Sequence, residues 1–188
     1  KYRRLVESLR EGIFQTNRRG EVTFVNTAFG EIAGLRAEEA IGTPLSDMFV
    51  DQDRGALAAL MLRLRDASPG TPLPEPIEAR IAVGETGEKR IVRLAVRPVL
   101  DARGEVTGIA GTLEDVTATR RTEEGLADQL RFTRELIDAI PIPLFVKNLS
   151  GEFLSVNRAW EEFTGMKRTD IIGRTSYSMV SREVADRY

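Results

Sequence analysis

The chain contains no cysteine and no histidine among its 188 residues. Without cysteine there is no disulfide, no thiolate nucleophile, no iron–sulfur ligand and no covalent thioether to a chromophore. Without histidine there is no imidazole general base, no proximal haem ligand and no phosphoacceptor histidine. Catalysis is left with carboxylate, Ser/Thr or Lys chemistry, and no motif arranges those groups. An excess of one charge is also missing: 27 Lys+Arg against 29 Asp+Glu gives a net −2, with no general attraction to nucleic acid or anionic lipid. No apolar run approaches the ~20 residues of a membrane span, and no signal peptide is visible. The segment is therefore expected to contact neither nucleic acid nor membrane directly. Both ends read as cut from something longer.

What the chain does have is a repeat. Residues 14–42 read FQTNRRGEVTFVNTAFGEIAGLRAEEAIG, and residues 145–173 read FVKNLSGEFLSVNRAWEEFTGMKRTDIIG. They align without a gap, placing Phe14 on Phe145, Asn17 on Asn148, Gly20 on Gly151, Asn26 on Asn157, Gly34 on Gly165 and Gly42 on Gly173. Most matched positions are turn and cap residues, whose backbone geometry is hardest to supply another way. The length suits one domain with a real core and part of a second.

Local pattern places the elements. Tyr2, Leu5, Val6 and Leu9 at helical spacing predict a short opening amphipathic helix. Gly12–Asn17 and Glu21–Val25 read as a hairpin through the Asn17–Gly20 turn. Asn26 suits an N-cap for a helix over Thr27–Ala33, with Gly34 as its left-handed cap. Short helical character recurs at Ala37–Ile41, and Arg54–Arg65 is the longest helix candidate before a loop with Pro69, Pro72, Pro74 and Pro76. Strand-like runs follow at Ile77–Val83, Arg90–Val99 and Val106–Leu113. This order predicts an α+β domain, an antiparallel sheet with helices gathered on one side. Residues 118–139 are helix-prone, and Leu126, Leu130, Thr133, Ile137 and Ile140 form a heptad-like seam. The seam is open to two readings, packing on a neighbouring domain or self-association.

The segments GEVTFVN (Gly20–Asn26) with Ala28, Glu31 and Gly34, and GEFLSVN with Ala159, Glu162 and Gly165, resemble the PAS family of sensory modules. The closing GTLEDVT (Gly111–Thr117) resembles the exit signature of such domains. The resemblance divides the chain into a complete PAS domain over residues 1–117, a helical linker over 118–135, and the front part of a second PAS domain over 136–188. It implies a five-stranded antiparallel sheet cupped by short helices, with a cavity that family members fill with haem, flavin, a chromophore, a small metabolite or their own side chains.

By that resemblance Phe14, Thr16, Val92, Leu94, Val96, Ile109, Gly111 and Leu113 point into the cup, where they either line a cavity or make a packed core. Arg80 alternates with apolar neighbours on the third strand; facing inward it would hold a ligand carboxylate, facing outward it is a solvated edge residue. Asp115, Val116 and Thr117 are the expected signal-relay residues, Asp115 pairing with a basic side chain and Thr117 capping the linker helix. Trp160 takes the place of Phe29 and reads as a packing residue. Haem through histidine and cysteinyl flavin are excluded, so a small metabolite or no ligand is expected. The implied module is non-enzymatic and cytoplasmic. It is expected to form a homodimer through its N-terminal and linker helices and to control an output domain in cis, a histidine kinase or a cyclic-dinucleotide enzyme. The alternatives are a ligand-free dimerisation and spacer module, or a sensor holding flavin non-covalently.

Overall fold

A computed structural model describes residues 9–67, 70–84 and 87–179. The chain divides into two compact units, Lys1–Thr122 and Glu123–Tyr188. The expected opening helix falls on residues that lie outside those described, apart from the exposed Leu9.

In the first unit β1 (Gly12–Asn17) and β2 (Val22–Val25) form the expected hairpin. The Asn17 side-chain oxygen accepts the backbone N–H groups of Arg19 and Glu21 at 2.9 and 3.1 Å, while Gly20 takes φ of 83°. An asparagine turn closed by a glycine needs just these two residue types. Helix α1 (Thr27–Ala33), helix α2 (Ala37–Ala40), a 3-10 turn (Leu45–Met48) and helix α3 (Asp51–Arg65) follow. Helix α3 starts before the expected Arg54 because Asp51 and Asp53 occupy its first turn, where acidic groups meet the positive end of the helix dipole.

Three strands complete the sheet: β3 (Ile77–Val83), β4 (Glu88–Leu100) and β5 (Val106–Asp115). Their order is β2-β1-β5-β4-β3 with every pairing antiparallel. Strand β4 outruns its expected end, and Pro98 is tolerated in it because beyond Leu94 only β5 lies alongside. Helices α1 to α3 cover one face. Phe29, Ile32, Leu57, Leu60 and Leu64 join Phe14, Ile81 and Leu94 in a single buried cluster.

Helix α4 (Thr117–Ala139) begins at the end of β5. It stops one residue short of the expected seam, because Ile140 precedes Pro141 and a residue before proline is forced out of helical geometry. In the second unit β6 (Phe145–Lys147) and β7 (Phe153–Val156) form a hairpin, followed by α5 (Arg158–Thr164), α6 (Arg168–Ile171) and α7 (Ser176–Met179). The repeat holds at the level of atoms. Asn148 closes its turn as Asn17 does, and Asn157 caps α5 through the Trp160 N–H at 3.0 Å as Asn26 caps α1 through the Phe29 N–H at 3.0 Å.

Candidate functional site

The inner face of the first sheet brings most of the expected cup residues together. Phe14, Leu94, Leu113, Ile109 and Val96 are all buried in the main cluster, as is Val92. The Phe14 and Phe29 rings meet at 5.9 Å between centroids in a tilted pair, a geometry that aromatic quadrupoles favour. A Cβ on Gly111 would lie 2.6 Å from Cζ of Phe14. Glycine there makes room for that ring, which occupies the space over the middle of β5.

Two expectations change. Thr16 is buried, but its hydroxyl is committed to the backbone of Ile109, accepting that N–H at 3.3 Å and donating to its carbonyl at 3.5 Å. The cause is local: Thr16 stands directly opposite Ile109 in the β1–β5 pairing, and its short side chain reaches its partner's backbone groups. Arg80 lies away from the cup. Its guanidinium grips both oxygens of Asp53 at 2.9 Å, and its backbone N–H donates to the same carboxylate at 2.8 Å. Because β3 is an edge strand, its outer residue can reach round to the start of α3. These hydrogen bonds hold the Asp53 carboxyl below its ordinary range against an opposing desolvation effect, and raise the Arg80 guanidinium further.

The exit of the sheet is a denser polar site. The Val116 N–H donates to the Ile91 carbonyl at 2.9 Å, and the Val116 side chain is buried. The Thr117 hydroxyl accepts the Ile91 N–H at 2.9 Å and donates to the Ile91 carbonyl at 3.4 Å. Thr117 therefore ties the helix start to β4 rather than capping the helix. The cap comes from Asp115, whose Oδ1 accepts the Thr117 N–H at 2.9 Å. The other oxygen of Asp115 lies 3.8 Å from Nε of Arg90, and Arg90 also donates to the carbonyls of Glu31 and Ile32 at 2.9 Å. A cation at those carbonyls complements the negative end of α1. A continuous polar path thus runs from the end of α1 through Arg90 and Asp115 to the first N–H of α4.

A second tie was not foreseen. Glu78, Arg93 and Glu114 stand in direct register across β3, β4 and β5. Arg93 bridges the two acids at 3.4 Å, and Arg120 on the first turn of α4 grips Glu78 through both oxygens at 2.6 and 2.7 Å. Cross-strand charge pairs of opposite sign stabilise a sheet face, and two-pronged pairing fixes orientation. The hydrogen bonds from Arg120 hold the Glu78 carboxyl below its ordinary range. The only sequence signal was an alternating charged face on each strand, which carries no mark of its partner.

In the second unit the Trp160 ring packs on Phe153 at 5.6 Å, as a packing residue should. Lys147, which takes the place of Thr16, sets its ammonium 4.4 Å from the Phe153 ring centre and 2.7 Å from the Ser176 hydroxyl. Asp138, in the last turn of α4, pairs with Arg168 at 3.0 Å, and Arg168 pairs with Glu161 at 2.9 Å. Backbone and side-chain hydrogen bonds from Arg168 hold Glu161 below the usual carboxylate range, and Arg168 is raised in turn.

The chain is 29% identical over 180 residues to phytochrome C of Arabidopsis thaliana, matching 91% of this chain and 16% of that protein. It is 28% identical over 127 residues to sporulation kinase C of Bacillus subtilis, matching 66% of this chain and 28% of that protein. The segment thus spans less than a third of either relative. A sensory box histidine kinase/response regulator from Burkholderia thailandensis shares the fold at a TM-score of 0.54 and 18% identity, covering 71% of this chain and 98% of that one. Among the described residues no helix is long and apolar enough to cross a membrane. The sequence model of the PAS fold matches residues 1–116 and 131–187, and the chain belongs to the PAS family.

Proposed function

We propose that this segment is a non-enzymatic sensory and relay module of a cytoplasmic signalling region. A change in the first domain biases the direction or register of α4, and an output domain in cis reads that bias. The output is a histidine kinase or a cyclic-dinucleotide enzyme, and the input is a small molecule. The observation that carries the proposal is the double tie at the sheet exit, Asp115 and Thr117 on one side and Glu78 with Arg120 on the other. Neither tie is needed to bury core area, and both act on the first turn of the helix that leaves the domain. A ligand can shift such a two-state element only by its differential affinity for the two arrangements.

Dimerisation belongs to the same proposal. Leu126, Leu130 and Ile137 on α4 are exposed by 58%, 63% and 37%, an apolar seam that a second copy of the helix would cover. The test is made in the parent protein. Asp115→Ala and Thr117→Val should leave the first domain folded, by amide fingerprint, while output activity no longer responds to its stimulus. Unchanged regulation in both variants would defeat the relay reading. The Phe14 ring over Gly111 favours a second reading, a filled core acting as a dimerising spacer. Thermal stability that no metabolite library raises would support that reading over ligand sensing.

A further inference from the structure

Outside the cup, a groove of about 220 Å³ opens at the end of the first sheet where the β1–β2 turn, α3 and the start of β5 meet. Its apolar wall is built from Pro44, Met61, Leu62, Val106 and Ile109. Its charged lining is Arg18, Arg19 and Arg65, and no carboxylate lines it among the described residues. The groove lining itself therefore carries charge of one sign only. Arg65 shares one edge with Asp66 at 3.3 Å, an exposed pair that a ligand carboxylate can displace.

The two arginines of the turn are not there to make the turn. The second copy forms the same asparagine–glycine turn, with the same side-chain hydrogen bonds, using Leu149 and Ser150 at those positions. The turn chemistry resides in Asn17 and Gly20, so Arg18 and Arg19 are surplus to the fold. Met61 closes the wall behind the turn, its Cε 3.8 Å from where a Cβ on Gly20 would stand.

The geometry points to a binding site for a small organic carboxylate with a short apolar body. The arginines take the charged end in their forked geometry, and the Met61–Ile109 wall takes the apolar end. The volume is below the ~300–1,000 Å³ of drug-sized sites, which limits the occupant to a few carbons. Ile109 belongs to the buried core and lies on β5, the strand that ends at Asp115. Occupancy of the groove therefore acts on the strand that leads to the relay residues. This last step rests on the relay reading; the binding site itself does not.

The test is an amide-detected NMR titration of the full chain with sodium hexanoate, at constant ionic strength. Saturable shifts clustered at residues 17–20, 58–65 and 106–109, lost in Arg18→Gln/Arg19→Gln and weakened at least fivefold in Arg65→Gln, are expected. The turn variant should keep the wild-type fingerprint elsewhere, since Leu149 and Ser150 make the same turn. Hexanol acting as strongly as hexanoate would remove the charged half of the assignment, and inorganic phosphate acting as strongly would remove the apolar half; either overturns it. No saturable shift at the groove by roughly a 20-fold molar excess over about 1 mM protein, a concentration well above the ~1 mM scale of weak binding, also overturns it. Loss of the groove leaves the Asp115 and Thr117 outcomes in the parent protein untouched, so the two failures are distinguishable.

Discussion

Replacing Asn26 with alanine removes the residue that joins the hairpin to the helix after it. Asn26 is 1% exposed. Its Oδ1 accepts the Ile13 N–H at 2.7 Å and the Phe29 N–H at 3.0 Å, and its Nδ2 donates to the Glu11 carbonyl at 3.0 Å. Losing an N-cap costs about 0.5–2 kcal/mol. The cap loss covers the Phe29 N–H; the partly buried Ile13 N–H, left unpaired as well, adds about 1–3 kcal/mol. Together these give a loss of about 3 kcal/mol, a large share of the ~5–15 kcal/mol that holds a typical domain. The loss should appear as roughly a hundredfold faster exchange of the slowest first-unit amides, because each tenfold change corresponds to about 1.4 kcal/mol. Amide probes are the right assay, since a chain with two compact units need not unfold in one step. Asn26→Asp keeps the Oδ1 acceptor but puts an oxygen against the Glu11 carbonyl and buries a carboxylate, so it should not restore wild-type stability. A loss below about 1 kcal/mol for Asn26→Ala would refute the hydrogen-bond reasoning, since that is less than a typical cap alone.

Gly111→Ala should destabilise the first unit by about 1–3 kcal/mol, because the new Cβ meets both the Ala95 carbonyl and the Phe14 ring; unchanged urea unfolding would mean the ring lies elsewhere. Gly125→Ala should do the opposite, raising helix content by circular dichroism and stability by up to ~1 kcal/mol, because its Cβ would meet nothing within 4 Å. The Glu78 carboxyl is held below its ordinary 4.5 by hydrogen bonds from Arg120. Its contribution is therefore complete above that pH and is lost as the pH falls through the lowered folded value. Carbon-detected titration that places Glu78 at or above 4.5 would contradict the pairing. Leu130→Glu should abolish any self-association seen by sedimentation, whereas a dimer surviving that change does not use the α4 seam.

Much of the scaffold was legible in the sequence because it rests on residues with one local job. Asn17 and Gly20 make a turn, Asn26 and Gly34 bound a helix, and alternation along Ile77–Val83 selects the buried face. The candidate site was legible only where it was apolar. Thr16 looked like a polar group offered to the cup, but Ile109, its direct partner on β5, takes up the hydroxyl. Arg80 was assigned by strand parity, which says nothing about a partner 27 residues earlier on α3. The Glu78–Arg120 tie spans 42 residues, and charged residues carry no periodicity that names their counterpart. Polar long-range partners become visible only once the strands are in register.

The handover from sheet to linker helix is tested most directly by amide exchange in Thr117→Val. Valine keeps the shape but leaves the Ile91 N–H without the hydroxyl that accepts it at 2.9 Å. Exchange at Arg120, Arg121 and Thr122 should quicken at least tenfold, with the amides of β1 changed by less than about twofold, on the ~1–3 kcal/mol cost of one unpaired donor. Unaltered exchange at those three residues would mean that the sheet does not hold the start of the helix.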